Sequence, residues 1–60
     1  MTEAQAAIER VIDRRTERGA SDASIIAYLT HLKGVWSEAP AMTHFLDALI
    51  QGVQASPLTR

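Results

Sequence analysis

Apolar and polar side chains recur along this chain with the three- and four-residue spacing of amphipathic helices, and no stretch alternates as a strand does. The spacing predicts three helices. The first spans about Thr2 to Arg18, the second runs from its cap at Ser21 or Asp22 to about Lys33, and the third spans about Glu38 to Gln54. These elements make an all-α fold, a small three-helix bundle in which an N-terminal helix joins a helical hairpin. We expect one helical domain over residues 1–54 and a flexible C-terminal tail over 55–60, marked by Pro57.

Glycines and short polar side chains mark the ends of the predicted helices. Gly19 should stop the first helix, because glycine adopts the left-handed conformation of a helix C-terminus at little cost. Ser21 or Asp22 then caps the second helix by accepting hydrogen bonds from its first backbone amides. Gly34 should close the second helix, and Ser37 is the expected cap of the third.

The second and third helices carry broad apolar faces and few charges, so each needs an apolar partner. Their connection is short, which favours an antiparallel hairpin. On the third helix, the apolar positions are Met42, Phe45, Leu46, Leu49, Ile50 and Val53. Beside them runs a row of small residues, the small-residue lane, formed by Ala41, Ala48, Gly52 and Ala55. This lane allows another helix to approach closely, either the first helix or a helix of a second copy.

Charge is concentrated in the first helix. Eight of the thirteen charged residues lie between Glu3 and Arg18, and the apolar stripe of this helix ends at Ile12. Two ridges have four-residue spacing, an arginine ridge and an acidic ridge: Arg10, Arg14 and Arg18, and Glu9, Asp13 and Glu17. The arginine ridge has two interpretations. In the first it binds an acidic protein patch or phosphates, since guanidinium groups pair with such anions bidentately. In the second it lies in solvent and pairs with Asp13 and Glu17.

Three further side chains are candidates for contacts with a partner. Arg15 continues the apolar stripe, so its stem either follows the edge of the core or carries its charge across an interface to a carboxylate. Tyr28 and Trp36 are aromatic, and aromatic side chains often anchor protein interfaces. Trp36 has a second interpretation, in which it closes the end of the helical hairpin.

The chain is short for a stable monomer. It has 60 residues, of which 47% are hydrophobic, and ten of these are alanines. A chain of this length buries only about 60% of the surface that it exposes when unfolded, and small folds usually need a disulfide, a metal or a partner chain. Cysteine is absent, and His31 and His44 lack metal-ligand spacing. We therefore expect a homodimer to complete the bundle.

No residue pattern indicates catalysis, a cofactor or a metal site, so we expect a non-enzymatic protein. His44 and Asp47, three residues apart on the third helix, are interpreted as a surface hydrogen-bonded pair. A formal net charge of −1 gives no overall attraction to nucleic acid or to anionic membranes. The second helix begins Asp22-Ala23-Ser24 and offers no side chains that suit the reading of base edges.

The sequence therefore predicts a protein–protein interaction module, a small regulator, adaptor or assembly factor that binds an acidic patch of another protein. The predicted partner-binding residues are Arg10, Arg14, Arg15, Arg18, Tyr28 and Trp36. The alternative is a small dimeric regulator that binds nucleic-acid phosphates through the arginines of the first helix. The lack of cysteine, the acidic start at Met1 to Glu3 and the absence of a long apolar stretch lead us to expect a cytoplasmic protein without membrane contact.

Overall fold

The computed structural model describes residues 2–55 and folds them into three α-helices joined by short connections. The helices are α1, Glu3–Glu17; α2, Asp22–Val35; and α3, Pro40–Ala55. No strand occurs within that range, so the predicted all-α three-helix fold is confirmed, whereas the dimer remains a prediction. Ala55 was expected to begin the tail but is the last residue of α3, and residues 56–60 lie outside the described residues.

Side-chain oxygens close the N-termini of α1 and α2. The Gln5 amide donates to the Thr2 hydroxyl (3.1 Å) and the Thr2 amide donates to the Gln5 side chain (3.0 Å), which together form a capping box. At α2 the Ser24 amide donates to the Ser21 hydroxyl (3.1 Å), so Ser21 rather than Asp22 is the cap. Each bond satisfies a backbone donor that has no partner inside the helix.

Gly19 ends α1 as the sequence predicts. Its φ of +85° lies in the left-handed region, which favours glycine because a Cβ would crowd the backbone there. The Gly19 amide donates to the Thr16 carbonyl (3.0 Å) and the Ala20 amide donates to the Arg15 carbonyl (2.9 Å). These two bonds form a Schellman motif, which turns the chain sharply toward α2.

The end of α2 differs from the prediction, because Gly34 lies inside the helix. The helix continues through Gly34 to Val35, and the Trp36 amide donates to the Leu32 carbonyl (2.9 Å). Gly34 does not have the positive φ that distinguishes Gly19. A glycine near a helix end is therefore not enough to stop the helix when the following residues keep helical hydrogen bonds.

The start of α3 also differs, because Ser37 is not its cap and Glu38 is not in its first turn. The helix begins at Pro40, and the Ala39 carbonyl accepts the bond from the Met42 amide (3.0 Å). Proline suits the first helical position, since its φ is already fixed near the helical value. It also disfavours the helical conformation for the residue before it, which places the boundary at Ala39.

The core lies between α2 and α3, which pack against each other most closely, and α1 adds side chains from its part up to Ile12. Ile25, Leu29 and Leu46 are fully buried. The whole buried cluster consists of Ile8, Ile12, Ile25, Leu29, Met42, Leu46 and Val53. Only Ile8 and Ile12 of this cluster belong to α1, which agrees with an apolar stripe that ends at Ile12. The part of α1 after Ile12 is therefore free to carry charge.

Candidate protein-interaction surface

The three side chains of the arginine ridge are all exposed; Arg10 and Arg14 lie on α1, and Arg18 is the residue that caps its C-terminus. None of them forms an ion pair with a carboxylate among residues 2–55, although Asp13 and Glu17 stand three residues along from Arg10 and Arg14. The ridge therefore lies in solvent, as one of its two interpretations has it, but without the expected pairs to Asp13 and Glu17. Three guanidinium groups, one helical turn apart, face outward with their hydrogen-bond donors available.

Arg15 behaves differently from the ridge, because its guanidinium lies over the ring of Tyr28. The guanidinium carbon is 4.5 Å from the ring centroid, which is within the range of a cation–π interaction. Tyr28 is half-buried and packs against the core. This position agrees with the interpretation in which Arg15 follows the edge of the core, whereas its contact with a carboxylate across an interface stays a prediction. The pair links the end of α1 to the middle of α2, and the arginine remains accessible.

Trp36 lies in the connection after α2 and belongs to neither the buried cluster nor the side chains packed on it. It keeps 37% of its surface exposed, and its neighbour Val35 keeps 63%. Most of the Trp36 side chain is therefore covered, although not by the core cluster, so its interpretation as a plug for the end of the hairpin stays a prediction. Together Val35 and Trp36 form a small exposed apolar patch.

The small-residue lane is uncovered in this fold. Ala41, Ala48 and Gly52 are exposed, and a Cβ added to Gly52 would meet no atom within 4 Å. α1 stands beside the lane but does not close over it. An open groove with a volume of about 260 Å³ runs between the two helices, lined by Glu9, Ile12, Asp13, Ala48, Leu49, Gly52 and Val53.

The groove joins an apolar floor to an acidic wall. Ile12 and Val53 of its lining are buried, and Glu9 and Asp13 are the two acidic residues that line it, which we call its acidic wall. No cationic residue lines it among the described residues. Because successive residues of a helix are about 100° apart, the arginine ridge points away from the groove. α1 therefore separates charge, with carboxylates toward α3 and guanidinium groups on its other flank.

The structure also places an ion pair that the sequence interpretation missed. Asp47 pairs with Lys33 across α2 and α3 rather than with His44, which is exposed. Both side chains are partly exposed, at 37% and 48%. Lys33 lies in the last turn of α2, whereas Asp47 lies about two turns into α3, so no simple spacing in the sequence signals this pair.

The described residues contain no group of three or more histidine, cysteine, aspartate or glutamate side chains placed to hold a metal ion. None of α1, α2 and α3 combines the length and the apolar character that a membrane crossing requires. No protein-family model, curated protein or solved structure matches the chain. The arginine ridge, the Trp36 patch and the groove are therefore the features from which a function can be inferred.

Proposed function

We propose that this chain is a non-enzymatic protein–protein interaction module, a small regulator, adaptor or assembly factor that binds an acidic surface of another protein. The observation that carries the proposal is the arginine ridge, three exposed guanidinium groups without a carboxylate partner among residues 2–55. Planar guanidinium groups bind carboxylates in pairs of parallel hydrogen bonds. Charge complementarity of this kind governs the specificity and the rate of association.

The exposed aromatic and apolar side chains supply the second element of such a surface. Trp36 and Val35 are exposed at the end of α2, and Tyr28 presents its ring beneath the Arg15 guanidinium. Tryptophan, tyrosine and arginine are the residues that most often dominate the binding energy of protein interfaces. The account therefore assigns specificity to the ridge and an apolar contribution to Trp36.

The test compares two double variants of equal net charge. Arg14→Gln/Arg18→Gln removes two positive charges from the ridge, and Ala27→Glu/Thr30→Glu adds two negative charges to exposed positions of α2. Each lowers the formal net charge of −1 by two, to −3. Tagged chains are used to capture partners from a lysate of the native host, with far-UV circular dichroism to show that helicity is retained. We expect the ridge variant to lose its partner and the control to keep it; equal capture by both would refute the proposal.

The second candidate is a regulator that binds nucleic-acid phosphates, and the same unpaired guanidinium groups favour it. The acidic ridge on the neighbouring flank of α1 opposes it, because Glu9, Asp13 and Glu17 repel phosphates. Binding to duplex DNA and structured RNA is measured over a range of salt concentrations. Binding whose logarithm falls steeply with the logarithm of salt supports this candidate, and no binding at low salt removes it.

We also propose that the protein is a cytoplasmic homodimer. The cysteine-free composition fits a reducing compartment. The three helices bury only a small apolar cluster and leave the groove and the Trp36 patch uncovered. A second copy is the simplest partner for such surfaces. The melting temperature of a dimer rises with protein concentration, so a dilution series followed by circular dichroism tests this, and a constant melting temperature would contradict it.

A further inference from the structure

We propose that the groove between α1 and α3 binds the arginine ridge of a second copy of this chain. The inference rests on the proposed self-association and identifies the two surfaces that make it. The groove supplies the acidic surface that the ridge requires, so the partner chemistry is present within the chain itself.

The groove has the shape and the lining to accept a helix with cationic side chains. Its α3 side is formed by Ala48 and Gly52, which let a helix backbone approach closely, and space remains where a Gly52 Cβ would lie. Its floor is apolar, at Ile12 and Val53. Arginine stems pack well on apolar surface while the guanidinium stays at a polar edge. That edge is the wall that Glu9 and Asp13 form.

The charges on the two surfaces are opposite and have the same spacing. Glu9 and Asp13 are four residues apart on α1, and so are Arg10 and Arg14. Four residues of an α-helix rise by about 6 Å, so two guanidinium groups of one copy match two carboxylates of another along aligned helices. Each match allows a bidentate arginine–carboxylate contact.

The other cations of the described residues are already engaged. Lys33 pairs with Asp47 and Arg15 lies over Tyr28, whereas the ridge has no ion pair among residues 2–55. The acidic wall of the groove likewise faces no cationic side chain of its own lining. Ridge and groove lie on different flanks of α1, so the contact is heterologous: a pair of copies keeps one free ridge and one free groove, and at higher concentration it adds further copies beyond the proposed homodimer.

The experiment uses two variants that each destroy one of the two surfaces. Gly52→Trp fills the groove and leaves the ridge intact, whereas Arg10→Gln/Arg14→Gln neutralises the ridge and leaves the groove intact. Each variant alone should have a dissociation constant for self-association raised by roughly two- to thirtyfold, as expected for the loss of two exposed charge pairs or of their binding site. Mixed in equal amounts, they should form a heterodimer that grows no further, because only one ridge and one groove remain.

Sedimentation equilibrium and native mass spectrometry at low ionic strength measure the masses, starting from the 6.6 kDa chain. The mixed variants have formal net charges of −1 and −3 (the second being −1 less two arginines), so unspecific attraction between opposite charges cannot bring them together. Ala27→Glu/Thr30→Glu, also at −3, is the control and should associate like the wild type. Ala48→Trp fills the same groove from a second position if Gly52→Trp loses helicity by circular dichroism.

The proposal is supported if each variant alone loses self-association and the two variants form a heterodimer when they are mixed. Self-association that persists in both variants would overturn it while leaving the proposed homodimer intact. A wild-type chain that stays monomeric up to about 1 mM, in the range of the weakest specific complexes, would overturn both. Neither result affects capture of an acidic partner, which the ridge variant Arg14→Gln/Arg18→Gln tests separately.

Discussion

The three glycines of this chain should respond to alanine with opposite signs, although all of them have open space around them. A Cβ added at Gly19, Gly34 or Gly52 would meet no heavy atom within 4 Å, so no substitution creates a clash. Only Gly19 has a positive φ, at +85°. The other two lie within α2 and α3. Backbone conformation alone therefore decides the result.

At Gly19 an alanine must adopt the left-handed conformation, which costs roughly 1–2 kcal/mol for a residue with a Cβ. The lower conformational entropy of the unfolded alanine variant offsets about 0.4–1 kcal/mol of this cost. The free energy of unfolding should therefore fall by about 1 kcal/mol in total. For a chain of this size, that loss lowers the melting temperature by about 4–8 °C. Gly34→Ala and Gly52→Ala instead remove the entropic cost of a helical glycine. They should raise stability by about 0.5–1 kcal/mol each.

Thermal unfolding followed by far-UV circular dichroism, at one protein concentration for all variants, measures these changes. Fixed concentration matters because self-association would otherwise shift the melting temperature. A Gly19→Ala chain as stable as the wild type would show that the Schellman turn after α1 is not formed as described. A destabilising Gly34→Ala would show that α2 ends before Val35, as the sequence alone suggested.

Three further predictions concern the core and the contacts between helices. Leu46 is fully buried, so Leu46→Ala should lower the free energy of unfolding by about 2–5 kcal/mol. This is a large part of the roughly 3–9 kcal/mol of total stability expected for a chain of this length. A loss below about 1 kcal/mol, measured by urea titration, would contradict the core assignment. A double-mutant cycle with Arg15→Ala and Tyr28→Leu should give a coupling of about 0.5–1 kcal/mol, and additive effects would mean that the ring contact contributes nothing. A second cycle with Lys33→Ala and Asp47→Ala should give about 0.2–1 kcal/mol, weakening in about 1 M salt; a coupling insensitive to salt would exclude an ion pair.

The number of helices and most of their N-terminal signals follow from local sequence. The Thr2 and Gln5 pair, Gly19 and Ser21 each act on backbone groups within a few residues, so their chemistry is readable in the sequence. Gly34 misled the interpretation because a glycine permits a helix end without requiring one. The start of α3 depends on Pro40 and its effect on the preceding residue, which outweighs the capping preference of a nearby serine.

The surfaces were harder to predict than the helices, because they depend on how α1 lies across the hairpin. Helical periodicity places Ala48 and Gly52 in one lane but does not say whether α1 covers it. Since the apolar stripe of α1 ends at Ile12, only the part of α1 up to Ile12 is drawn into the core. The lane stays open beside α1, and Glu9 and Asp13 line the groove between them. Exposure of the arginine ridge was predictable, whereas the absence of ion pairs with its own helix was not.

Binding of an acidic protein at the arginine ridge is tested by trapping the partner at the ridge itself. A photo-crosslinking amino acid replaces Glu17, which is exposed beside Arg14 and Arg18, and in a control chain it replaces Thr30 on the exposed face of α2. Irradiation in the native host, followed by mass analysis of the adducts, identifies what lies against each position. The account predicts a protein adduct from position 17 that is absent from position 30 and is lost when Arg14→Gln/Arg18→Gln is added. Equal adducts from both positions, or an adduct at position 17 that survives loss of the two arginines, would contradict it.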